Sequence, residues 1–392
     1  MSQQLIARSP ELKRLRDEGY NVGVADGYLI VRDIPYVTSQ RVVKRGVLIM
    51  PLTLTNDVVQ QPADHQAQFA GETPCRADGA PVNGLAPSPS QAKAGDVTAN
   101  LNFSAAPLPA RKYKDYYHKV TSYVRRLADP ASEIEKGITA CTHPYLAEDD
   151  PDSVFEYVDT ATSRAEIVAV SRKLQLSAIA ILGLGGTGGY ILDLLAKTPV
   201  RKIHLFDGDV FDQHNAFRAP GAASGEDLAA KLFKVEYFKR IYSRMHKGIV
   251  AHPEYMSSEN VAQLDAMNFV FIAMEAGVAK KAVVERLLER GIPFIDVGMG
   301  VYLAGDEIGG TLRVTTATSS KHDHLAARMP LSDGGIKNEY DKNIQVADLN
   351  LINAGLAVLR WKKLFGFYAD QGGEFYSTFA IGRNETNNED PE

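Results

Sequence analysis

Residues 177–190 read Ser-Ala-Ile-Ala-Ile-Leu-Gly-Leu-Gly-Gly-Thr-Gly-Gly-Tyr, and this stretch decides the predicted fold. Its first six residues are mostly apolar and predict a strand that is buried on both faces. The glycines that follow allow a sharp turn and let backbone N–H groups approach a ligand closely. Helical spacing over 187–197 and a second apolar strand that ends at Asp207 complete a βαβ unit. Because a helix N-terminus binds phosphate and a strand-end carboxylate binds ribose, the unit predicts a nucleotide site.

The glycine pattern alone leaves two classes of nucleotide site open. Gly183, Gly185 and Gly188 satisfy G-x-G-x-x-G, which fits a nicotinamide-binding Rossmann domain as well as an ATP site. Arg218 follows the second strand within a dozen residues, and Lys234 lies on the next predicted helix. Cations at these positions favour a triphosphate whose α-phosphate is attacked.

These motifs resemble those of the ThiF/MoeB family, the adenylation domains of ubiquitin-activating-type enzymes. The resemblance covers roughly residues 160–368 and depends on several spaced motifs in the right order. The matching segments are Gly183-Leu-Gly-Gly-Thr-Gly-Gly189, Asp207-Gly-Asp209, Asn215-Ala-Phe-Arg218, Lys234-Val-Glu236, Phe269 to Glu275, and Asn343 to Asp348.

The resemblance implies an α/β fold class, with a Rossmann-like ThiF-type adenylation domain whose sheet is mostly parallel. We predict that this ATP-binding domain spans 160–370 and follows a smaller, β-rich α+β accessory domain over 1–147. An acidic, proline-broken run at 148–152 marks the boundary, and residues 383–392 predict a disordered acidic tail. The N-terminal region resembles an uncharacterised domain found ahead of ThiF domains in bacterial ubiquitin-like conjugation operons.

For activity, the resemblance implies adenylation of the C-terminal carboxylate of a ubiquitin-like protein, with ATP and Mg²⁺ as cofactors. It leaves open a later acyl transfer to an enzyme nucleophile and then to a conjugating-enzyme-like partner. The residues implied to bind ATP are Gly183, Gly185, Gly186, Gly188, Asp207, Asp209, Asn215, Arg218 and Lys234. The residues implied to act in catalysis are Arg164, Arg218 and Lys234, and the residue implied to hold the metal is Glu275. Arg164 would act from the partner subunit of a homodimer, as an arginine finger.

Three departures from the family pattern bear on mechanism. Glu275 stands where the family usually has aspartate, the paired C-x-x-C motifs of some members are missing, and no cysteine follows Cys141. Ubiquitin-activating relatives move the acyl group to a cysteine near the crossover loop, which corresponds here to 317–341. The sequence offers no thiol in that domain, so a thioester there is not expected.

Four outcomes for the acyl group remain open at this point. The reaction stops at the adenylate, as in MoeB-like enzymes, or a loop hydroxyl such as Ser332 or Thr316 accepts the acyl group as an oxyester. Alternatively, Cys75 or Cys141 approaches from the N-terminal region, or the native nucleophile has been replaced in this sequence. A hydroxyl is a poor nucleophile without an adjacent base, although an acyl-adenylate is an activated acyl donor.

The amino-acid composition indicates which partners and which cellular compartment to expect. The chain of 392 residues is 45% hydrophobic and 23% charged, which is typical of a soluble globular protein. A net charge of −5 gives no electrostatic reason to expect nucleic acid as a partner. Two distant cysteines fit a reducing compartment, and the most apolar stretch, 176–196, is glycine-rich and does not predict a membrane span. We therefore expect a cytoplasmic protein without a membrane partner.

Two other functions stay open on the sequence. A nicotinamide-dependent oxidoreductase would bind NAD and have no use for Arg218 and Lys234. A degenerate family member, suggested by Glu275, would bind partners without turnover.

The sequence also predicts two further helices, one over residues 163–174 and one over 227–245. The second of these helices carries both Lys231 and Lys234.

Overall fold

The computed structural model describes residues 2–56, 58–107, 109, 112–331 and 344–391. The chain divides into two compact units. The first unit comprises Met1–Ser153 with Tyr157–Arg164, and the second comprises Val154–Glu156 with Ala165–Glu392.

The first unit is built on an antiparallel sheet. Its strands are β1 (Asn21–Ala25), β2 (Tyr28–Val37), β3 (Val43–Pro51), β4 (Leu54–Thr55), β5 (Val58–Val59), β6 (Gln66–Ala70), β7 (Ser88–Pro89), β8 (Lys93–Ala94), β9 (Val97–Thr98) and β10 (Leu101–Ser104). Six of them form one sheet in the order β1-β2-β3-β6-β10-β7, and β4 with β5 and β8 with β9 form separate pairs. Its helices are α1 (Ser2–Arg8), α2 (Pro10–Asp17), α3 (Tyr116–Ile134) and α4 (Thr160–Arg164).

Helix α3 provides much of the core of the first unit. The carboxylate of Asp115 accepts a hydrogen bond from the backbone N–H of His118 and so caps the helix. Side chains at helical spacing, including Tyr116, Val120 and Tyr123, are buried on one face. They pack with apolar residues of the sheet, which gives this unit a core of its own.

The second unit contains a mixed sheet with helices around it. Its strands are β11 (Ile179–Leu182), β12 (Ile203–Phe206), β13 (Ile249–His252), β14 (Phe269–Ile272), β15 (Phe294–Ala304), β16 (Glu307–Ala317), β17 (Glu374–Ala380) and β18 (Glu385–Pro391). Its helices are α5 (Val168–Ser171), α6 (Gly186–Leu195), α7 (Gln213–Ala216), α8 (Gly225–Ala229), α9 (Lys234–Tyr242), α10 (Val278–Arg290), α11 (Leu325–Arg328) and α12 (Ala347–Leu364). Short 3₁₀ turns cover Arg172–Leu174, Val261–Ala266 and Ile381–Arg383.

The strand order in this sheet is β13-β12-β11-β14-β15-β16-β17-β18. The five neighbouring strands β13, β12, β11, β14 and β15 run parallel to one another. The pairs β15–β16, β16–β17 and β17–β18 are antiparallel. Strands β11 and β14 are buried along their whole length because helices cover both faces of the parallel part. The predicted fold class, a mostly parallel Rossmann-like sheet preceded by a β-rich region, is confirmed.

Three local features differ from the sequence prediction. Residues 163–174 form the end of α4, then α5 and a 3₁₀ turn, so they are not one helix. The segment predicted as a helix over 227–245 is broken between α8 and α9, where Lys231 has a left-handed backbone with φ of 47°. Lys231 is therefore not helical, and Lys234 begins α9.

The tail also differs from the expectation of disorder over 383–392. Glu385–Pro391 pair with β17 as the last strand of the sheet. The ordering follows from backbone hydrogen bonding at a free sheet edge, which a polar sequence satisfies as well as an apolar one. Ion pairs from Arg328 to Glu389 and Asp390 also hold the strand.

None of the helices within the described residues is both long enough and apolar enough to cross a membrane.

Candidate functional site

A cavity of about 410 Å³ opens at the carboxyl ends of the parallel strands in the second unit. In open parallel sheets this edge is where ligands bind, because loops and helix N-termini converge there. The cavity brings together most of the residues that the sequence singled out. Its lining includes Gly183, Gly185, Asp207, Asp209, Arg218, Lys234 and Glu275.

The glycine turn between β11 and α6 forms one wall of this cavity. Gly183 has φ of 88°, and a Cβ there would lie 2.6 Å from the carbonyl oxygen of Ala273. Only glycine fits such a position. Gly185, at the start of α6, has no atom within 4 Å of a Cβ built on it, so the turn is open at the residue that faces the cavity.

Asp207 fixes the geometry of this turn. One carboxylate oxygen accepts from the backbone N–H of Leu184 at 2.6 Å, and the other accepts from that of Asp209 at 2.8 Å. Burial raises the pKa of Asp207, although Lys234 and the two backbone N–H groups oppose that shift. Asp207 therefore supports the turn from behind, in addition to lining the cavity.

Lys234 is held by two carboxylates at the start of α9. Its Nζ lies 2.5 Å from Asp209 Oδ2 and 3.7 Å from Asp207 Oδ1, and the side chain is buried. The hydroxyl of Tyr255 also donates to Asp209. Partial burial alone would raise the pKa of Asp209, but the hydrogen bonds from Lys234 and Tyr255 outweigh it and lower the pKa. The lysine is thus preorganised in the cavity.

Arg218 has unused hydrogen-bonding capacity. Its Nε is buried and has no hydrogen-bond partner. A buried donor without a partner is costly, and a bound anion satisfies it. The cavity thus combines a guanidinium whose Nε has no partner, a buried lysine and an open glycine turn, which is the donor set that fits a polyphosphate.

The amino-acid sequence matches the model of the ThiF family over residues 119–320, more than half of the chain. The chain belongs to the ThiF family. Residues 10–160 match a second family model, described as a domain of unknown function, DUF6791. Membership of the ThiF family supports an adenylyltransferase-type enzyme. No curated protein matches the chain significantly.

Solved structures with similar folds include PaaA and MccB. The selenomethionine form of PaaA is 19% identical, with a TM-score of 0.44, over 59% of this chain and 70% of that chain. MccB of E. coli with ATP is 16% identical, with a TM-score of 0.44, over 59% of this chain and 69% of that chain. The microcin C7 biosynthetic enzyme MccB with N-formylated MccA is 16% identical, with a TM-score of 0.45, over 59% and 70% of the two chains.

Three of the expected ATP-binding residues in this ThiF protein are placed behind the cavity. Gly186 and Gly188 are buried within α6. The Asn215 side chain is buried and accepts a hydrogen bond from the backbone N–H of Asp212, which caps α7. None of these three residues belongs to the described lining of the cavity. Their placement fits support of the turn and of the loop that carries Arg218.

Glu275 lies at the carboxyl end of β14 and is exposed. It lines the cavity described above and also a larger neighbouring one. Within the described residues there is no group of three or more His, Cys, Asp or Glu side chains that could hold a metal. Mg²⁺ is commonly bound by only one or two carboxylates with phosphate oxygens and water, so a single carboxylate here fits it.

The remaining predicted residues lie elsewhere. Arg164 is exposed at the end of α4, in the first unit. Cys75 is buried and Cys141 is half-buried, also in the first unit, and burial raises the pKa of the Cys75 thiol. Thr316 is buried on β16 and lines a different, smaller cavity. Ser332 and Asn343 lie outside the described residues.

The sequence did not indicate a buried ion cluster beside this cavity. Lys280 Nζ lies 2.5 Å from Asp296 Oδ1, and Arg313 Nη2 lies 2.8 Å from Asp296 Oδ2. In the sequence, Lys280 looks like a solvent-exposed lysine near the start of α10, so its burial was not predictable. The one available signal was Asp296, a single acid within the apolar run Phe294-Ile-Asp-Val297.

Proposed function

We propose that this chain binds ATP with Mg²⁺ and adenylates the C-terminal carboxylate of a ubiquitin-like protein. The observation that carries the proposal is the convergence of Arg218 and Lys234 on the cavity beside the glycine turn, with a buried Arg218 Nε that lacks a partner. A nicotinamide site gives these two cations no role. The proposed adenylation domain spans 160–370.

In the proposed reaction, a carboxylate oxygen of the substrate forms a bond to the α-phosphorus of ATP. The bond from that phosphorus to the oxygen that bridges to the β-phosphate breaks, and its electron pair leaves with pyrophosphate. The products are the acyl-adenylate and pyrophosphate. A carboxylate is ionised at neutral pH, so no general base is required, and the site supplies alignment and charge neutralisation.

The polar and charged groups of the cavity have separate roles in the proposed reaction. The open turn at Gly185 and the N-terminus of α6 offer backbone N–H groups to phosphate oxygens. Asp209, the more exposed of the two strand-end acids, lies on the ribose side with Asp207 behind it. Arg218 and Lys234 neutralise the charge that develops as pyrophosphate departs.

Glu275 is the residue that would hold Mg²⁺, together with phosphate oxygens and water. The ion, when bound, neutralises polyphosphate charge and orients the leaving group.

Later steps and assembly belong to the same proposal. Arg164 acts in trans within a homodimer, and a conjugating-enzyme-like protein receives the acyl group after the adenylate or after an enzyme-bound ester. Since no cysteine follows Cys141, the ThiF domain either releases the adenylate to a partner, transfers the acyl group to a hydroxyl such as Thr316 or Ser332, or receives a thiol, Cys75 or Cys141, from the N-terminal region.

Calorimetric titration of the full chain with MgATP tests the proposal. Wild-type protein is expected to bind MgATP, and Lys234→Met is expected to bind it roughly 10- to 100-fold more weakly, the value of one charge-assisted contact. Lys231→Met is the matched control, because Lys231 is exposed, forms an ion pair with Asp212 and lies outside the cavity lining.

Binding of NAD without binding of MgATP would contradict the proposal, and so would equal MgATP affinities in the two variants. Exchange of pyrophosphate into ATP, measured with and without a ubiquitin-like protein, then tests the second substrate.

A further inference from the structure

The smaller cavity that Thr316 lines, here called the Thr316 cavity, has a volume of about 210 Å³ and lies in the second unit. Val314 on β16 is paired with Ser377 on β17, and Ser377 is paired with Asn388 on β18. These side chains therefore share one face of the sheet, and residues of α12 close the cavity over that face. None of the described residues that line it also lines the proposed ATP cavity. The Thr316 cavity is thus separate from the proposed nucleotide site.

Three side chains in the wall of the Thr316 cavity are buried and have a hydrogen-bonding atom without a partner. Thr316, Arg360 and Glu374 are 1%, 4% and 8% exposed. Within the described part of the chain, Thr316 Oγ1, Arg360 Nε and Glu374 Oε2 make no hydrogen bond. A buried donor or acceptor without a partner is costly. Three such atoms in the wall of one small cavity indicate a ligand that pairs with them.

The charges at this cavity balance. Arg360 Nη1 forms an ion pair with Asp370 and lies 3.9 Å from Glu374 Oε2. Lys363 Nζ lies 2.8 Å from Glu374 Oε1. Two cations thus stand against two carboxylates, so neither an anionic nor a cationic ligand finds an opposite charge in excess. A neutral ligand is favoured, because it brings no unpaired charge into a buried space.

The three unpaired atoms define the polar groups of this ligand. Arg360 Nε only donates and a carboxylate oxygen of Glu374 only accepts, whereas the Thr316 hydroxyl does either. A ligand that pairs with all of them therefore carries both an acceptor and a donor. A carboxamide meets this requirement, since it is neutral and has a carbonyl oxygen and an N–H on one carbon atom.

The rest of the wall favours an apolar body on the ligand. Apolar surface comes from β16, α12 and β17, through Val314, Leu356, Leu359 and Phe375. A cavity of about 150 Å³ is enough for benzene, so 210 Å³ accommodates one ring with a small substituent. A buried water molecule needs about two to four polar partners, and the apolar part of the wall offers it none. An organic molecule therefore fits this wall better than water does.

We propose that the Thr316 cavity binds a small neutral molecule that carries a carboxamide on an apolar body. Arg360 Nε and the Thr316 hydroxyl donate to the carbonyl oxygen of the ligand, and Glu374 Oε2 accepts its N–H. The apolar body lies against Leu356 and Phe375. This site is additional to the proposed adenylation and does not depend on it.

Ligand-detected NMR titrations of the full chain test the proposal with benzamide, benzoate and benzamidinium. These three probes have nearly the same planar shape and are neutral, anionic and cationic. Benzamide is expected to bind with a Kd of about 1 mM or tighter, and the two charged probes roughly tenfold or more weakly. Each titration is repeated with MgATP, which is expected to leave the Kd of benzamide unchanged because the two cavities share no described lining residue.

Thr316→Val removes the hydroxyl and keeps the branched shape of the side chain. It is expected to weaken the binding of benzamide roughly 3- to 10-fold, the value of one hydrogen bond. The melting temperature of the ligand-free variant is expected to stay the same or rise, because a buried hydroxyl without a partner is gone. A merely structural hydroxyl would instead lower it. Thr378→Val is the control, since Thr378 lies on the opposite face of β17 and outside the lining.

Glu374→Gln examines the charge balance. It leaves Arg360, Lys363 and Asp370 with a net charge of +1, so the ratio of the benzamide affinity to the benzoate affinity is expected to fall at least about tenfold.

Binding of none of the probes by wild-type protein would overturn the proposal, and so would equal or tighter binding of either charged probe. Displacement of benzamide by MgATP would place the probe in the nucleotide cavity and would overturn it as well. The same holds if Thr316→Val and Thr378→Val bind benzamide equally. Should Glu374→Gln fail to fold, the comparison of the two threonine variants decides.

Discussion

At the scale of single residues, the nucleotide cavity depends on backbone positions that allow little substitution. Gly183 combines a left-handed backbone with close approach to Ala273, whereas Gly185, two residues later, has neither restriction. The same turn is held from behind by Asp207, which accepts two backbone hydrogen bonds. These residues therefore affect folding as well as binding.

The two glycines give a matched pair of substitutions. Gly183→Ala is expected to lower the free energy of unfolding by about 2 kcal/mol or more, from a strained backbone and a steric clash. Gly185→Ala is expected to change it by less than about 1 kcal/mol, because a methyl group there meets nothing. Urea unfolding followed by circular dichroism compares them, and equal losses would disprove the argument.

Asp207 and Asp209 offer a second comparison. Asp207→Ala leaves the N–H groups of Leu184 and Asp209 without their acceptor, and we expect a loss of about 2–4 kcal/mol in unfolding free energy. Asp209→Ala is expected to cost less, since its side chain is half exposed and Asp207 remains as a carboxylate near Lys234. The same urea titrations give both values, and a larger loss for Asp209→Ala would contradict the assigned supporting role.

The sequence located Arg218 and Lys234 at the cavity because each follows a strong local signal, a strand end or a helix start. It did not locate Lys280 or Arg313. Both pair with Asp296 from other elements, and the sequence around each looks like an ordinary helix or strand. Long-range packing of this kind leaves no local periodicity to read.

At the scale of elements, the parallel strands were predictable and the interruptions between helices were not. Amphipathic spacing over 278–290 is a local signal for a helix, and α10 covers this range. The break before α9 was not predicted, because its cause is the left-handed backbone at Lys231, a conformation uncommon for lysine. Strand β18 was missed because its polar sequence carries no apolar alternation.

Strands β12 and β13 carry a pair of histidines that makes stability depend on pH. His204 Nδ1 lies 3.0 Å from His252 Nε2. Burial, and then the positive charge that His252 and Lys202 would add, lower the pKa of His204 to about 4. The unfolded chain, with the ordinary value of 6.5, takes up a proton first as the pH falls. Stability from this residue is therefore complete above pH 6.5 and is lost as the pH falls towards 4.

The expected loss between pH 7 and pH 4.5 is about 1 kcal/mol, after allowance for solvent screening of a half-buried group. His204→Gln is expected to remove this part of the pH dependence, measured as the difference between urea unfolding at the two pH values. His322→Gln is the control, because His322 is exposed in the same unit. An unchanged pH dependence in His204→Gln would refute the assignment.

At the scale of the whole molecule, the chain consists of two units that each have a hydrophobic core. The proposed ATP cavity is lined by residues of the second unit alone. A ligand that binds one folded unit stabilises that unit by mass action. We therefore expect MgATP to act on the unfolding of the second unit.

Differential scanning calorimetry tests this expectation. MgATP at a hundred times its dissociation constant is expected to stabilise the second unit by about 2.7 kcal/mol and to raise one transition while the other stays in place. Lys234→Met is expected to lose the shift at the same ligand concentration. A parallel rise of all transitions would show that the units unfold together and would contradict the expectation.

The walls of the nucleotide cavity also have an electrostatic consequence. Among the described residues that line it, three cations, Arg218, Lys234 and Lys280, stand against three carboxylates, Asp207, Asp209 and Glu275. The formal charges of these six side chains therefore balance at neutral pH. The positive groups attract phosphate locally, but the site as a whole holds no surplus with which to balance a polyphosphate.

It follows that the nucleotide has to bring its own counter-ion. Removal of divalent ions with EDTA is expected to weaken the binding of ATP by at least about tenfold. The binding of AMP is expected to weaken much less, since AMP carries fewer charges. Parallel calorimetric titrations with and without EDTA measure both effects, and an equal response of the two nucleotides would rule this out. For the proposed ATP site, we expect the concentration of free Mg²⁺ to set the fraction of the protein that has nucleotide bound.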